Sequence, residues 1–297
     1  MRVDRHWLGR AIRKPSQSDW GIGMTVCIAT LCEMGRQVVS VSDHKLSMGQ
    51  FSADGMALKN DLIHHNWSAM WANDVSYVPA ILGCVAKQLK REEEYEWLEV
   101  ATAFANAHAA ILRSEINNCI LANSGYTRES FYRTGKGTLT PSAFNALHRR
   151  ITDLSLNADF LVYGFDANGD GHIFTFENGR TKSCDKAGMW AIGSGDYSAL
   201  STLFFAAKQY RFNQNKPLSE ALYVALAAKF MAESAEGVGE RTFLVVNQAN
   251  HLSGFFRHDG FIEEYRKRWF DEHAPKWPQE EMEFLKAEFK PGQKMGK

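Results

Sequence analysis

Apolar runs with the spacing of β-strands occur in three blocks along the chain. The first block has three strand-like segments, the second (159–192) has two apolar segments on either side of a polar turn, and the third lies near the end. Runs of this length, bounded by glycine and polar turn residues, are typical of strands. The predicted strands are 25–32, 37–43, 62–72, 160–165, 171–176, 241–247 and 252–257.

Between these blocks, apolar residues recur every three or four positions, which predicts amphipathic helices. Thr140 followed by Pro141 has the form of an N-cap and a first helical residue. The preceding stretch, 117–140, is rich in Asn, Ser, Thr and Gly and predicts a loop. The predicted helices are 75–91, 94–116, 141–155, 197–212 and 218–234.

This order of elements predicts an α+β fold rather than a βαβ alternation or two separable domains. Strands in blocks and helices in pairs favour a four-layer αββα sandwich, in which two stacked, mainly antiparallel sheets carry helix pairs on both outer faces. We expect an N-terminal extension or pro-segment at 1–24, one domain at 25–257, and a charged C-terminal tail at 258–297. The tail reads as a surface helix or, alternatively, as a contact between subunits.

The composition restricts the classes of partner. Apolar residues make up 45% of the chain, charged residues 23%, and the formal net charge is zero, so we expect neither a nucleic-acid nor a membrane partner. No apolar run approaches the roughly 20 residues that span a bilayer. The five cysteines are scattered without a CxxC pair, which favours reduced thiols and a cytoplasmic protein.

Three residues at predicted strand ends carry the candidate chemistry. Thr25 begins the first strand, Asp43 ends the second, and Lys59 follows 16 residues later. A hydroxyl, a carboxylate and an amine that meet at strand ends predict a nucleophile site. The condition is that Thr25 becomes the first residue of the mature chain. Either removal of the preceding segment or a start at Met24, followed by methionine trimming, would expose it.

Three stretches resemble the proteasome β-subunit family of N-terminal nucleophile (Ntn) hydrolases, including its simpler bacterial relatives. They are Thr25-Val-Cys-Ile-Ala-Thr, Ser42-Asp43-His44-Lys45-Leu46-Ser47-Met48-Gly49 and Ala191-Ile-Gly-Ser-Gly-Asp-Tyr-Ser-Ala-Leu200. The resemblance covers about 24–257, with an insertion at about 117–157, and implies an Ntn-hydrolase fold. Lys45 stands where the family has arginine. Two extra residues separate Thr25 from Asp43, so an ungapped count from Asp43 reaches Cys27.

The resemblance implies catalytic roles for Thr25, Asp43, Lys59 and Ser194. A free α-amino group on Thr25 would act as general base, Lys59 would lower the pKa of that amine, and Asp43 would hold Lys59 in place. The backbone amide of Asn73, with the Gly193–Gly195 turn, would stabilise the oxyanion. Further candidates are Lys45, Glu233 and Glu236.

The function that this resemblance implies is a self-assembling threonine peptidase that needs no cofactor. Its substrate would be a peptide or another amide, and its partners would be copies of itself in a homo-oligomer. Two alternatives remain open at this point. One is a non-catalytic structural subunit, and the other is an Ntn amidase on small acyl-amides, with Cys27 or Thr25 as the nucleophile.

Two sequence patterns resemble metal sites, but we expect no metal. Asp166-Ala-Asn-Gly-Asp170-Gly, closed by Glu177, matches the calcium loop of an EF-hand, yet strand patterns flank it. We therefore interpret it as a hairpin turn. His64 and His65 are adjacent on a predicted strand, so their side chains are expected to point to opposite faces.

Overall fold

The computed structural model describes residues 25–48, 51–53, 58–249, 255–256 and 259–273. The predicted extension 1–24, including Met24, lies outside the described residues, as do Gly49 and most of the predicted tail. The strands are β1 (Cys27–Cys32), β2 (Gln37–Asp43), β3 (Leu46–Met48), β4 (Phe51–Ala53), β5 (Asn60–His64), β6 (Trp67–Asn73), β7 (Ala158–Phe165), β8 (Gly171–Glu177), β9 (Arg180–Ser183), β10 (Met189–Ile192), β11 (Thr242–Gln248) and β12 (Phe255–Phe256). The principal helices are α1 (Val78–Gln88), α2 (Trp97–Glu115), α3 (Pro141–Thr152), α4 (Asp196–Gln209), α5 (Leu218–Ala232) and α6 (Asp259–Glu272).

The described strands form two five-stranded antiparallel sheets and one short hairpin. The first sheet has the order β10–β1–β2–β11–β12 and the second the order β5–β6–β7–β8–β9, while β3 pairs with β4 alone. Together with the helices this confirms the α+β class. The chain divides into two compact units, Met1–Arg257 and His258–Lys297, and α6 belongs to the second.

One hydrophobic core contains residues of both sheets. Alternate residues of β1, namely Cys27, Ala29 and Leu31, share this core with Met70 and Leu161 of the second sheet. Every residue of β1 is buried, which explains why the strand reads as an almost continuous apolar run. This core therefore fixes the start of β1 inside the protein, and Thr25, two residues before that strand, is buried as well.

Helices pack on each sheet. Phe104 of α2 lies against Phe160 and Phe174 of the second sheet, with ring centroids 5.2 and 6.3 Å apart. Helix α5 packs against β1 and β2, and α4 packs against β10. Within the described ranges, no helix combines the length and the apolarity that crossing a bilayer requires.

The predicted strand 62–72 is wrong, because it is a hairpin of two strands, β5 and β6. Its polar centre is the turn at residues 65–66. The expectation that the two histidines point to opposite faces is also wrong, since the rings of His64 and His65 lie 4.0 Å apart. Strand alternation fails here because the register shifts between Leu62 and His64, and His65 already belongs to the turn.

The predicted loop 117–140 is helical over most of its length. It consists of short helical turns at Ile116–Leu121, Ala122–Ser124, Arg128–Ser130, Phe131–Gly135 and Lys136–Thr138. Ile116, Leu121 and Phe131 are buried with Ile151 of α3 in a small core of their own. Burial of these spaced apolar residues overrides the local turn propensity. The predicted cap is confirmed, because Ala143 N donates to Thr140 Oγ1 at 3.3 Å.

The stretch that begins at Asp166 is a hairpin turn between β7 and β8, which confirms the prediction of a turn rather than an EF-hand loop. Asp166 Oδ1 accepts hydrogen bonds from the backbone amides of Asn168, at 2.9 Å, and Asp170, at 2.8 Å. These bonds close an Asx-type turn. The β3–β4 hairpin was not predicted, and of the expected strand 252–257 the described part contains only Phe255–Phe256.

Candidate active site

The β1–β2 hairpin brings Thr25 and Asp43 together. Cys27 pairs with Ser42 in the antiparallel register, so the start of β1 lies beside the end of β2. Asp43 N donates to Val26 O at 3.2 Å, which extends this pairing to the residue that follows Thr25. The two predicted site residues, 18 positions apart in sequence, are therefore neighbours because of the strand register.

Lys59 completes a buried three-residue cluster. Its Nζ atom donates to Thr25 Oγ1 and, at 2.9 Å, to Asp43 Oδ1, while Thr25 Oγ1 also donates to Asp43 Oδ1. Asp43 is fully buried and Lys59 is 2% exposed. In a site of low dielectric, an ammonium group that contacts a hydroxyl oxygen strongly favours negative charge on that oxygen. The arrangement can thus activate Thr25 as a nucleophile.

The carboxylate of Asp43 accepts several backbone hydrogen bonds besides the ammonium group. Val26 N donates to Oδ1 at 3.0 Å, and Lys45 N and Gly239 N both donate to Oδ2 at 3.1 Å. These donors offset the cost of burying a carboxylate and fix its orientation. Lys45, a candidate from the sequence, therefore reaches the site through its backbone amide.

Ser194 contacts the main chain of Thr25 from the turn between β10 and α4. Thr25 N donates to Ser194 Oγ at 3.0 Å, and Thr25 O accepts from Ser194 Oγ at 3.3 Å and from Gly195 N at 3.1 Å. Gly193 has φ +101°, and a β-carbon there would lie 2.8 Å from Thr25 Cγ2. The Gly-Ser-Gly sequence thus permits close approach to Thr25, and two members of the turn already hold its carbonyl oxygen.

Asn73, the candidate oxyanion donor, ends β6 in a left-handed conformation with φ +67°. Asparagine tolerates this region better than most residues, so it adopts here a conformation that glycine commonly supplies. Its Nδ2 atom donates to Asp159 Oδ2 on the neighbouring strand β7. Burial, together with the charge of Glu177, raises the pKa of Asp159 to about 6.

Cys27 lies in the core next to the cluster. Its thiol donates to Trp71 O at 3.4 Å, and burial raises its pKa to about 12 although the charge of Lys59 opposes this shift. A thiol with this pKa remains protonated at neutral pH and is a poor nucleophile. The geometry therefore favours Thr25 over Cys27 as the reacting residue.

The two candidate glutamates are placed differently. Glu236 is exposed, whereas Glu233 Oε1 accepts a hydrogen bond from Lys229 Nζ at 2.6 Å. Lys229 was missed by the sequence reasoning, and it also donates to Gly239 O at 2.8 Å. The available signal was a lysine inside the apolar stretch Leu226-Ala-Ala-Lys-Phe230. In the described residues, no group of three or more His, Cys, Asp or Glu is arranged to hold a metal ion.

Comparisons with known proteins give a fold but no family. No family model matches the chain, and no curated protein matches it. The chain is similar to the solved helical assembly of the Anbu complex from Pseudomonas aeruginosa, at 17% identity and TM-score 0.56, covering 86% of this chain and 99% of that one. It is similar also to Anbu (ancestral beta-subunit) from Yersinia bercovieri, at 16% identity and TM-score 0.56, covering 92% and 100%.

The chain shares its fold with Anbu. At this identity the likeness extends to the fold alone, and it corrects the assignment made from the sequence. The assignment to the proteasome β-subunit family is wrong, because the matching structures are Anbu, a proteasome-related type, and no family model supports it. The three short stretches that suggested it specify strand ends and a tight turn, and these are features of a fold rather than of one family.

Proposed function

We propose that this chain is a threonine-type hydrolase that cleaves amide bonds, with Thr25 as the nucleophile once it is the first residue of the chain. The observation that carries the proposal is the contact of Lys59 Nζ with both Thr25 Oγ1 and Asp43 Oδ1 in a buried site. A buried lysine and aspartate that converge on one hydroxyl are expected at a nucleophile. A peptide is the substrate class that we favour.

The first half of the reaction would be acyl transfer to Thr25. The free α-amine of Thr25, with an ordinary pKa of about 8, takes the proton from Oγ1. Oγ1 attacks the substrate carbonyl carbon, the C–N bond breaks, and the proton passes from the α-amine to the leaving nitrogen. Lys59 would stabilise the developing alkoxide, and Asp43 would keep Lys59 in place.

The second half would be hydrolysis of the ester on Thr25. The α-amine removes a proton from water, the water oxygen attacks the ester carbonyl, and the acid product leaves as Oγ1 regains a proton. Ser194 Oγ, 3.0 Å from Thr25 N, would orient the amine in both halves. The backbone amide of Asn73 is our proposed oxyanion donor, since φ +67° turns the chain sharply at the end of β6.

We also propose a four-layer αββα order for residues 25–257 and a homo-oligomeric state. Two observations support the layer order. The two sheets share a core, and helices α1 and α2 pack on the second sheet while α5 packs on the first. The Anbu complex from Pseudomonas aeruginosa is a helical assembly, which supports self-association here.

A second candidate is a non-catalytic assembly subunit. The observation that favours it is that Thr25 N donates to Ser194 Oγ as an ordinary peptide nitrogen would. This hydrogen bond forms without a free amine, so an unprocessed chain can keep the same site geometry.

Two measurements decide between these functions. Intact-mass and N-terminal analysis of the native protein gives the first residue, and incubation with a β-lactone, which acylates activated hydroxyls, gives the site of any adduct. The hydrolase predicts a chain that begins at Thr25 and one adduct on Thr25, lost in Thr25→Ala and retained in Thr25→Ser. Residues 1–24 on every molecule, or equal labelling of wild type and Thr25→Ala, would overturn the hydrolase and support the assembly subunit.

A further inference from the structure

A second buried lysine lies close to the candidate site. Lys229 is fully buried in α5, where the surrounding residues from Val224 to Phe230 are otherwise apolar and buried. Burying an ammonium group costs several kcal/mol unless hydrogen bonds and an opposite charge compensate it. A charge at this position therefore calls for a physical reason beyond packing.

Lys229 is connected to Asp43 by hydrogen bonds through Gly239. Its Nζ atom forms an ion pair with Glu233, one helical turn later, at 2.6 Å, and donates to Gly239 O at 2.8 Å. The amide of the same glycine donates to Asp43 Oδ2 at 3.1 Å. Gly239 is thus held through its carbonyl by Lys229 and through its N–H by the carboxylate that contacts Lys59.

The segment Gly237–Gly239 contacts the other side of the site as well. Val238 lies so near Gly195 that a β-carbon on Gly195 would be 2.8 Å from Val238 Cγ2. Gly195 belongs to the turn that holds Thr25 O, and all three residues of the segment are buried. A shift of this segment would therefore disturb both Asp43 and the turn that carries Ser194.

We propose that Lys229, neutralised by Glu233, is a positioning residue that fixes Gly237–Gly239 so that the Gly239 amide donates to Asp43. The role in catalysis rests on the proposed hydrolase function. Loss of Lys229 would remove the hydrogen bond to the Gly239 carbonyl, so Gly239 could move and its amide would no longer donate to Asp43. Asp43 would then hold Lys59 less firmly in place. Because Lys229 acts on Asp43 through Gly239, we expect its effect in turnover rather than in substrate binding.

The test compares Lys229→Met, Glu233→Gln and the matched control Lys216→Met. Lys216 forms an i,i+4 pair with Glu220 at 3.0 Å, like the Lys229–Glu233 pair, but this pair is partly exposed. For Lys229→Met we expect kcat per folded molecule to fall at least about tenfold with little change in KM, which corresponds to the loss of one charge-assisted hydrogen bond. Lys216→Met should resemble wild type in both respects.

A readout independent of activity separates this inference from the hydrolase itself. Hydrogen exchange should show faster exchange at the Gly239 amide in Lys229→Met and, to a smaller extent, in Glu233→Gln, with no change in Lys216→Met. Wild type without hydrolase activity or adduct would overturn the hydrolase, while the exchange result would still decide whether Lys229 positions the segment. Unchanged exchange at Gly239, or unchanged kcat per folded molecule in an active enzyme, would overturn the positioning role. If Lys229→Met does not fold, Glu233→Gln carries the same two measurements.

Discussion

Gly193 lies against Thr25 at a distance that excludes any side chain at position 193. An ideal β-carbon on Gly193 would come within 2.8 Å of Thr25 Cγ2 and closer still to the Thr25 carbonyl oxygen, and the backbone has φ +101°. Both the space and the conformation therefore require glycine. The contact holds the main chain of Thr25 against the turn that carries Ser194.

We predict that Gly193→Ala lowers the free energy of unfolding by at least about 1–3 kcal/mol, from backbone strain and steric overlap. It should also reduce labelling of Thr25 by the β-lactone, because Thr25 must move. Urea unfolding and intact mass measure the two effects.

Gly83→Ala is the matched control for this substitution. Gly83 lies inside α1 with no atom within 4 Å of an added β-carbon. Alanine there should stabilise the protein by about 0.5–1 kcal/mol, since glycine is a poor helix former. Equal unfolding free energies for the two variants would contradict the close contact at Gly193.

The sequence predicts most of the elements around Thr25 and the cluster itself, because both depend on local patterns. Fully buried strands read as apolar runs, and the β1–β2 register follows from a short hairpin, so Thr25 and Asp43 fall together. Lys59 directly precedes β5, which begins at Asn60, whereas the strand predicted from the sequence begins only at residue 62. The strand break near His65 depends on a register shift that has no clear local signal.

Other features depend on contacts between residues distant in sequence. The Lys229–Gly239–Asp43 chain of hydrogen bonds joins α5, a loop and β2, and no spacing rule connects these segments. The helical turns of 116–138 form because Phe131 and its neighbours are buried against α3. The family assignment failed because short strand-end motifs are shared across related folds.

We predict that Lys59→Met destabilises the protein by about 3–5 kcal/mol, because it leaves the buried Asp43 carboxylate without its cation. The matched variant Asp43→Asn removes the charge that Lys59 compensates. The loss of unfolding free energy in the double variant, Lys59→Met with Asp43→Asn, should therefore be smaller than the sum of the losses in the two single variants. Urea unfolding of wild type, both single variants and the double variant measures this difference. Additive effects, or a Lys59→Met protein as stable as wild type, would contradict a buried ion pair.

We predict that Asp159→Asn flattens the pH dependence of stability in weakly acidic solution. Burial raises the pKa of Asp159 from 3.8 to about 6, so the folded protein favours the protonated form. Protonation of Asp159 therefore stabilises the folded protein. This stabilisation is complete below the unfolded pKa of 3.8 and is lost as the pH rises through about 6. Asparagine has the shape of the protonated acid and keeps an oxygen that can accept from Asn73 Nδ2.

The measurement is the urea midpoint of wild type and Asp159→Asn at intervals from pH 4 to pH 7.5. The urea midpoint of Asp159→Asn should rise relative to that of wild type as the pH rises. A constant difference across this range would contradict the raised pKa of Asp159, and a loss of the Asn73 conformation would appear as lower stability of the variant at every pH.

We predict that His172 stabilises the fold most in acidic solution. Burial alone would lower the pKa of His172, but the hydrogen bond and charge of Asp185, with the charge of Asp166, raise it above 6.5. The Nδ1 atom of His172 lies 2.8 Å from Asp185 Oδ2, and its ring stacks on Trp67 at a centroid distance of 6.2 Å. A folded pKa above the unfolded value gives stability that is complete below the unfolded pKa and lost as the pH rises through the folded pKa.

The test is His172→Gln, which keeps a hydrogen-bond donor for Asp185 but cannot take up a proton. Wild type should exceed the variant in unfolding free energy by a larger margin at pH 5.5 than at pH 9, as measured by urea unfolding at both values. Asp185→Asn should reduce the same margin, since Asp185 is the main group that favours the charged ring. A margin that is equal at the two pH values, or larger at pH 9, would show that His172 does not titrate in this way, and its role would then be limited to the hydrogen bond with Asp185 and packing against Trp67.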